Sequence, residues 1–351
     1  MKIASFNIQK LGLNKVANKD VLSYIIKIVS RYSVILILEV VDRSGKAMRT
    51  FLEELNSKQD NRKHPYTMAQ SSRLGRDSYK EQFVFLYRED QVRLTDSYQY
   101  EDDQAGDEDA FAREPYILRF TCLSTVLSDL VLIPVHTQPT DSQKELDELY
   151  DVVEVVREKW ETDNILILGD FNADGRYVSR SGMRDIRIRS DANYHWLIAD
   201  DVDTTASTAN DHTYDRIVVY GDNMMAAIVP NSAKPFNYQQ EFHLSTDIAL
   251  SISDHYPVEV ELKKKQMSGQ EAKKKRAQTP QRKKTVPKAQ KKMVAGPEKK
   301  EDVQKPQKKT VSKTWKKKIV AGLKKKEEVQ EPQKKRVGAC SLTQRAAKRK
   351  K

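Results

Sequence analysis

The run Ile165-Leu166-Ile167-Leu168-Gly169-Asp170-Phe171-Asn172 decides the fold class, because four apolar residues lead directly into a glycine and two polar side chains. A short, uninterrupted apolar run is typical of a strand that is buried on both faces. The preceding segment, Ser142–Trp160, has apolar residues at helical spacing, and Asp141 or Ser142 is its predicted N-cap. A helix that leads into a buried strand predicts an α/β fold.

The same alternation extends over residues 1–262. Lys19–Arg31 has helical spacing and lies between two β-branched runs. Strands are predicted at Lys2–Ile8, Val34–Glu39, Phe83–Arg88, Val92–Tyr98, Tyr116–Leu123, Leu130–His136, Asn164–Leu168, Arg216–Val219, Ala227–Val229 and Pro257–Leu262. So many strands with few strong helices predict two sheets packed face to face and covered by helices, a four-layer α/β/β/α sandwich.

Charge divides the chain at about residue 262. Residues 1–262 hold 29 Lys and Arg against 43 Asp and Glu, whereas residues 263–351 hold 33 against 7. The last part has one aromatic residue, Trp315, and a duplicated unit, 291–311 and 317–337, that is identical at 15 of 21 positions. Such a composition cannot bury enough apolar surface to offset the ordering entropy, so a disordered, lysine-rich tail is predicted after an acidic domain.

Cysteine content and hydropathy exclude several protein classes. Cys122 and Cys340 are the two cysteines, so a disulfide-stapled scaffold is excluded and no disulfide is expected. No apolar run reaches the roughly 18–20 residues that a membrane span needs, and no signal peptide precedes the first strand. We expect no membrane association and an intracellular setting, with secretion or the endoplasmic reticulum as the alternative if a leader was removed.

Polar side chains end five of the predicted strands. They are Asn7, Glu39, His136, the pair Asp170 and Asn172, and the pair Asp254 and His255. One such residue alone is consistent with a strand end that meets solvent. Five together predict one convergent site, because a buried carboxylate is costly unless it is paired or bound.

The same motifs resemble the deoxyribonuclease I family, and the resemblance extends from Met1 to about Leu262. Gly-Asp-Phe-Asn and Ser-Asp-His are typical of the wider endonuclease/exonuclease/phosphatase superfamily. The strings specific to the deoxyribonuclease branch are Tyr-Lys-Glu at 79–81, Arg-Glu-Pro at 113–115 and Tyr-Asp-Arg-Ile-Val-Val at 214–219. The resemblance implies the four-layer sandwich and divalent-metal-dependent hydrolysis of DNA phosphodiesters.

The resemblance also implies roles for individual residues. His136 and His255 are the expected catalytic imidazoles, oriented by Glu81 and Asp215 respectively. Two histidines in opposite proton states suit a reaction in which water loses a proton and a sugar oxygen gains one. Glu39, Asp170, Asn7 and Asp254 are the expected oxygen ligands of a catalytic Mg²⁺ or Mn²⁺.

Contacts with DNA are implied for a further set of residues. They are Asn172, Arg76, Tyr79, Arg113 and Tyr177. Val41 occupies a position that is commonly arginine in digestive members of the family, so the domain itself should hold DNA less strongly. Such phosphate and sugar contacts position a protein without specifying sequence.

Two calcium loops and two losses complete the comparison with the family. Structural or activating Ca²⁺ is implied at Asp102, Asp109 and Glu114, and separately at Asp203, Thr205 and Ser207. The family's cysteine pair is absent, with Gly175 and His212 in its place. Gln70 and Tyr116 stand where small apolar residues would contact actin, so inhibition by actin is not expected.

The leading hypothesis is a monomeric nuclear endonuclease that cuts double-stranded DNA with little sequence preference and leaves 5′-phosphate ends. Basic clusters at 334–336 and 348–351 resemble nuclear import signals. The alternatives are another phosphoesterase of the superfamily, such as an abasic-site endonuclease, and an inactive module that binds DNA or chromatin. The three strings specific to deoxyribonucleases argue against the former, and the retained catalytic residues against the latter.

Overall fold

Two six-stranded sheets pack face to face in the computed structural model, which describes residues 1–102, 109–209 and 211–265. The first sheet contains β1 (Lys2–Leu11), β2 (Val34–Val40), β3 (Tyr66–Gln70), β4 (Gln82–Arg88), β11 (Lys234–Pro235) and β12 (Val258–Glu261). The second contains β5 (Val92–Gln99), β6 (Tyr116–Cys122), β7 (Asp129–His136), β8 (Ile165–Asp170), β9 (Tyr194–Trp196) and β10 (Asp215–Tyr220).

Helices cover both outer faces of the sandwich. They are α1 (Leu13–Ala17), α2 (Lys19–Val29), α3 (Lys46–Ser57), α4 (Ser142–Trp160), α5 (Arg180–Asp185), α6 (Arg187–Ser190), α7 (Gly221–Ala227), α8 (Tyr238–Glu241) and α9 (Thr246–Ile252). One apolar layer lies between the first sheet and α1, α2, α3, α8 and α9, a second between the two sheets, and a third under α4 to α6. The predicted α/β/β/α sandwich is therefore confirmed for the described residues.

The strand order explains where polar side chains gather. The first sheet runs β11-β12-β1-β2-β4-β3 and the second β5-β6-β7-β8-β10-β9. Each sheet has one parallel pair at its centre, β1 with β2 and β7 with β8, and the other pairs are antiparallel. Parallel strands bring their carboxyl ends to the same edge of a sheet. This pairing brings Asn7, before the register shift in β1, beside the end of β2, and it brings the ends of β7 and β8 together.

Most predicted elements are present, with one clear error. The helix at Ser142–Trp160 has the expected bounds, and Asp141 is its N-cap residue, although its side chain makes no capping hydrogen bond. The predicted strand at 227–229 is wrong, because the polar and helix-forming residues after Gly221 form α7 instead. Ile228 forms an isolated bridge with Leu262, and Val229 donates its amide to the carbonyl of Glu261 at 2.8 Å.

Backbone pairing continues slightly past the predicted domain boundary. Lys263 donates its amide to Ala227, and Lys265 donates its amide to Ser124. The remainder of the predicted tail, including Cys340, lies outside the described residues. Cys122 is buried and is not part of a disulfide. In the described ranges, no helix has both the length and the apolar character needed to cross a membrane.

Candidate active site

Gly169 allows β7 and β8 to approach closely at the point where both strands end. Its φ is +149°, and a Cβ atom added there would lie 1.9 Å from the carbonyl oxygen of Val135. No other residue type fits such an approach. The parallel register pairs His136 with Asp170, so an imidazole and a carboxylate end adjacent strands.

Glu39 lies in a bulged part of the first sheet. The register of β1 against β2 shifts between Asn7 and Leu11, and Glu39 has a left-handed φ of 57°. A bulge redirects side chains, and a left-handed conformation is costly for a residue other than glycine, asparagine or aspartate. The amide of Lys10 donates to Glu39 Oε2 at 2.9 Å, which holds the redirected carboxylate in place.

Asn7 links the two sheets at this edge. Its side-chain nitrogen donates to Glu39 Oε1 and to Asp170 Oδ2, both at 3.1 Å. Its side-chain oxygen is buried and has no hydrogen-bond partner within the described part of the chain. One carboxylate from each sheet and an unsatisfied amide oxygen thus meet at one point.

His136 forms the first of two imidazole–carboxylate pairs. Its Nδ1 lies 2.8 Å from Glu81 Oε1, and both side chains are buried. Arg113 also contacts Glu81 through its guanidinium, and it donates to the carbonyl oxygen of His136 at 3.2 Å. The predicted pairing of Glu81 with His136 is present, whereas Arg113, predicted as a phosphate contact, is engaged within this pair.

His255 forms the second pair. Its Nδ1 lies 2.7 Å from Asp215 Oδ2, and Asp215 is fully buried at the start of β10. Thr204 accepts the amide of Asp215 at 3.1 Å through its hydroxyl, and it therefore fixes the start of that strand. The expected partners of both imidazoles are thus the ones that the structure provides.

The two imidazoles have opposite pKa shifts. Burial, together with the Arg113 charge, lowers the pKa of His136. Burial also disfavours the charged form of His255, but the carboxylates of Asp215 and Asp170 outweigh it and raise the pKa of His255. Burial raises the pKa of Asp215 as well, against the effect of its imidazole partner. These environments favour a neutral His136 and a cationic His255.

Asp170 lies between the two pairs. Its Oδ2 is 3.7 Å from Nε2 of His136 and 3.7 Å from Nε2 of His255. The same oxygen accepts the hydrogen bond from Asn7. Both free imidazole nitrogens therefore face one carboxylate, which marks the position between them as the point where a reacting group would be held.

Asp254 belongs to a segment that β1 fixes through several hydrogen bonds. Gln9 donates to Asp254 Oδ2 at 2.9 Å, and Ser253 donates its hydroxyl to the carbonyl oxygen of Asn7 at 2.6 Å. Lys15 Nζ donates to the carbonyls of Gln9 and Ile252 at 2.6 and 2.8 Å. The segment that carries Asp254 and His255 is thus positioned in part by Gln9 and Lys15, which were not predicted as residues of the site.

The donor set fits a hard divalent cation. Glu39, Asp170, Asn7 and Asp254 supply oxygen atoms only, and one oxygen each of Asn7 and Asp254 has no hydrogen-bond partner among the described residues. In the same residues, no three His, Cys, Asp or Glu side chains form a complete metal cage. Mg²⁺ commonly uses one or two carboxylates and completes its shell with water and substrate phosphate, so a partial set is suitable.

The predicted DNA contacts have different surroundings. Asn172 has a left-handed φ of 47° and donates to the carbonyl of Thr137 at 3.2 Å, directly beside Asp170. Tyr79 is 44% exposed, as suits a side chain that meets a ligand. Arg76 is engaged by Asp109 and Asp141, at 3.1 and 2.8 Å. Its binding to phosphate stays a prediction, and it would have to compete with these ion pairs.

Tyr177 lies in an aromatic group at the edge of the site. Its ring is 5.6 Å from that of Tyr214, which is in turn 6.3 Å from the imidazole of His255. The rings are half-buried, so one face of the group is open to solvent. Tyr177, a predicted DNA contact, therefore lies one aromatic ring away from His255 of the second imidazole pair.

The two predicted calcium loops stay predictions. Asp102 Oδ2 accepts the amide of Phe111, and Asp109 pairs with Arg76, while the residues between them lie outside the described ranges. Asp203 Oδ1 accepts the amide and hydroxyl of Thr205 at 2.9 and 2.7 Å. Among the described residues, neither Glu114 nor Ser207 is hydrogen-bonded to the other members of its set. Ser207 instead accepts the amide of Ala209.

Several residues of the site were not found from the sequence. Gln9, Lys15 and Thr204 contact the segments that carry the candidate catalytic side chains. Arg113 makes a contact with Glu81 that was not expected, and its binding to phosphate stays a prediction. Gln9 had a usable signal, since residues two apart on a strand share a face and Asn7 precedes it by two. Lys15 and Thr204 had none, because their contacts are made with distant segments.

The fold and site define the class of protein. A model described as the Endonuclease/Exonuclease/phosphatase family matches residues 4–255, and the chain belongs to that family. Rabbit (Oryctolagus cuniculus) deoxyribonuclease-1 is 44% identical over 263 residues, which is 75% of this chain and 92% of the relative. Human (Homo sapiens) deoxyribonuclease gamma is 40% identical over 262 residues, covering 75% and 86%. Within the larger family, the chain is a member of the hydrolytic deoxyribonuclease I family.

Solved structures support the fold alone. The human Nocturnin catalytic domain with a bound sulfate anion has a TM-score of 0.51 at 13% identity, covering 76% of this chain and 94% of that one. A humanized D. rerio TDP2 with 14 mutations has a TM-score of 0.50 at 15% identity, covering 74% and 97%. The sandwich is therefore shared with proteins of very different sequence.

Proposed function

We propose that the protein is an endonuclease that hydrolyses phosphodiester bonds of double-stranded DNA with little sequence preference and leaves 5′-phosphate ends. The observation that carries the proposal is the placement of two imidazole–carboxylate pairs on either side of Asp170. Relatives that are named deoxyribonucleases, at 40–44% identity over three quarters of the chain, support DNA as the substrate.

The two pairs supply both proton transfers that the reaction needs. A water molecule that attacks phosphorus must lose a proton, and the departing sugar oxygen must gain one. A neutral imidazole accepts a proton and a cationic imidazole donates one, so the opposite pKa shifts of His136 and His255 suit a single turnover. Glu81 and Asp215 fix the ring orientations through the Nδ1 atoms and leave both Nε2 atoms free for the substrate.

A divalent cation, Mg²⁺ or Mn²⁺, is the proposed catalytic cofactor. Glu39 and Asp170 would hold it, with Asn7 and Asp254 contributing oxygen atoms at the periphery. When bound, the cation neutralises charge on the scissile phosphate. Asn172, beside Asp170, would donate a hydrogen bond to the same phosphate. Ca²⁺ is proposed at the loops of Asp102 and Asp203 as a structural or activating ion.

Nicking of supercoiled plasmid tests the proposal directly. The full chain should convert supercoiled to open-circular DNA with Mg²⁺ or Mn²⁺, and chelation should stop the reaction. DNA ligase should reseal the nicks without prior phosphorylation, because that enzyme requires a 5′-phosphate. No nicking under any of these metals, together with DNA binding, would support the inactive module, whereas cutting of abasic DNA alone would support the other phosphoesterase.

Glu39→Ala distinguishes the metal ligand from the imidazoles. The variant should lose activity that raised Mg²⁺ partly restores, because the remaining oxygen ligands bind the cation more weakly. His136→Ala is the matched control, since its loss should not respond to Mg²⁺. An unchanged metal dependence of Glu39→Ala would remove this carboxylate from the proposed ligands.

The basic tail is proposed to capture DNA for the acidic domain. Residues 1–262 have an excess of 14 acidic groups and residues 263–351 an excess of 26 basic groups, so the tail reverses the repulsion between domain and DNA. Truncation after Lys265 keeps the backbone pairing of the last described residues. It should leave kcat nearly unchanged, raise KM and flatten the salt dependence.

A full-length variant with glutamine at the tail lysines and arginines is the control for chain length. If the truncated protein and this variant both retained the KM and the salt dependence of the parent, the tail would have no role in capturing DNA. The same proteins, fused to a fluorescent reporter, test the proposed nuclear localisation, because loss of the basic clusters should abolish nuclear accumulation. Cells that secrete the intact fusion would contradict it.

We also propose a monomer that actin does not inhibit. Tyr116 is half-buried in β6 and Gln70 is exposed at the end of β3, and both replace the small apolar residues expected at an actin contact. Inhibition of nicking by stoichiometric monomeric actin would contradict this. Light scattering after size-exclusion chromatography tests the monomer, and a doubled mass would overturn it.

A further inference from the structure

Three arginines without ion-pair partners follow the loop that carries Asn172. Arg176, Arg180 and Arg184 are exposed, and no carboxylate in the described part of the chain pairs with any of them. Their neighbours behave differently: Arg187 binds Asp147 at 2.9 Å, and Arg189 binds Asp200 at 2.8 Å. In a domain with an excess of acidic groups, uncompensated arginines at one place require an explanation.

The short helix α5 holds two of these arginines side by side. Its other face is anchored, because Met183 is buried and a Cβ atom at Gly182 would lie 2.4 Å from the side-chain oxygen of Gln143. Ser179 caps the helix by accepting the amide of Gly182 at 3.0 Å. Arg180 and Arg184 are four residues apart, so they share the outer face. Like charges at this spacing destabilise a helix slightly, which an anionic ligand would reverse.

Both arginines line a cavity of about 480 Å³. The charged residues of its wall are Arg180, Arg184, Arg189, Arg216, Asp174, Asp200 and Asp201. Two of the carboxylates are engaged: Asp200 accepts from Arg216 and Arg189, and Asp174 accepts the amides of Thr213 and Gly175. Asp201 is exposed and is the remaining acid of the cavity wall.

The cavity adjoins the candidate active site. Ala173 and Asp174, which form part of its wall, follow Asn172 directly in the chain. Arg176 lies over the ring of Tyr177, with 5.1 Å between its guanidinium carbon and the ring centroid, and it donates to the Tyr177 hydroxyl at 3.1 Å. The cavity wall therefore begins directly after Asn172 in the chain, and Arg176 lies beside Tyr177.

We propose that Arg176, Arg180 and Arg184 form a second DNA contact, which binds backbone phosphates beyond the scissile nucleotides. This inference rests on the proposed DNA substrate. Guanidinium groups bind phosphate oxygens in paired hydrogen bonds, and these contacts are independent of base sequence. The arginines give the acidic domain a local site of favourable charge, separate from the basic tail.

Salt dependence of DNA binding measures the number of phosphates contacted. Each neutralised phosphate of duplex DNA contributes about 0.9 to the slope of log affinity against log salt. In the full-length chain, Arg180→Gln with Arg184→Gln should reduce that slope by about 2 and raise KM, while kcat is retained. Arg180→Lys with Arg184→Lys should keep most of the slope, because the charges remain. Asp201→Asn should act in the opposite direction and strengthen binding.

Binding is best measured by fluorescence anisotropy with a short duplex, in the His136→Ala background so that the DNA stays intact. Lys58→Gln with Lys63→Gln is the control of equal charge. These exposed lysines flank Asn61 in the chain, and the side chain of Asn61 accepts from Arg88 at 2.9 Å. Arg88 ends β4, and the register pairs this end of β4 with the start of β2, whereas Glu39 lies at the other end of β2. A slope equal to that of the control would overturn the proposal. Nicking by the parent chain is scored separately, so failure of the proposed function is distinguishable from failure of this contact.

Discussion

The two imidazole–carboxylate pairs have the same chemical composition and different surroundings. Glu81 pairs with His136 but also contacts Arg113, so one carboxylate serves two cationic partners. Asp215 pairs with His255, and the second carboxylate near this imidazole, Asp170, adds to its effect. The comparison teaches that the neighbours of a pair, rather than the pair itself, decide the direction of the imidazole pKa.

The largest expected effect is the loss of either imidazole. His136→Ala and His255→Ala should each reduce plasmid nicking by about 10²–10⁴-fold, because each removes one positioned proton carrier. Circular dichroism and thermal unfolding should show an intact fold. If a variant kept more than a tenth of the parent rate, the replaced histidine would not be one of the proton carriers, and the other pair alone would remain as a candidate.

Removal of the carboxylates should separate the two pairs. Asp215→Asn takes away the principal partner of a cationic imidazole, whereas Glu81→Gln removes a carboxylate that is shared with a guanidinium. We expect the fall in kcat to be larger for Asp215→Asn by about tenfold, which corresponds to about 1.4 kcal/mol. Single-turnover rates at saturating DNA measure both. Equal losses would show that Arg113 does not alter the role of Glu81.

A buried acid, Glu145, contacts the segment that follows His136. Glu145 accepts the amide of Gln138 at 3.0 Å, and burial raises its pKa to about 7. Because the folded protein then binds this proton more tightly than the unfolded chain, the free energy of unfolding should fall as pH rises from about 4.5 to about 7. The contribution is at most about 3 kcal/mol.

Glu145→Gln removes that titration and keeps a side chain of similar size. Urea unfolding at several pH values should show a flatter profile for the variant between pH 5 and 7 and parallel profiles above pH 8. Glu158→Gln, at an exposed position of the same helix, is the control. Parallel profiles of the parent and Glu145→Gln over the whole range would show that folding does not raise the pKa of this carboxyl.

The smallest expected effect on activity is that of a reductant. It tests the loop of Tyr177, which lies near the pair of His255 and Asp215. The loop that carries Tyr177 is held by His212, whose Nδ1 lies 3.3 Å from Asp174 Oδ2 and whose ring packs on Gly175. No described residue contributes a disulfide there, so dithiothreitol should leave nicking and thermal stability unchanged. His212→Ala should lower thermal stability modestly, which tests the noncovalent contacts. A loss of activity in reductant would indicate a disulfide.

The sequence predicted the site best where one strand end carried the chemistry. Glu39, His136 and Asp170 lie at the ends of strands that the apolar runs locate. Asn7 was expected to end β1, which continues to Leu11, and it lies at the register shift against β2. The resemblance to known enzymes, and not the residue pattern, supplied Glu81 and Asp215. The role of Arg113 could not be derived, because it depends on a long-range contact with Glu81.

Errors in secondary structure had local causes. The β-branched residues at 228–229 suggested a strand, but the polar and methionine-rich segment before them forms α7. The pairing with the last strand is limited to the bridge of Ile228 and single backbone hydrogen bonds beside it. The hydrogen bond from Lys15 to the last carbonyl of α9 could not be predicted either, because α1 and α9 are more than 200 residues apart in the sequence. Periodicity reports burial within one element and contains no information about which distant backbone groups an element will meet.

The close approach of β7 and β8 restricts position 169 to glycine for a geometric reason. At Gly169 the space that a Cβ atom would need is taken by the carbonyl of Val135. A library that samples every residue at each position from 165 to 172 should therefore retain function with glycine alone at this site, even though glycine carries no reactive group. Intolerance to substitution is thus an unreliable guide to chemistry, because Gly169 should be intolerant for a steric reason alone.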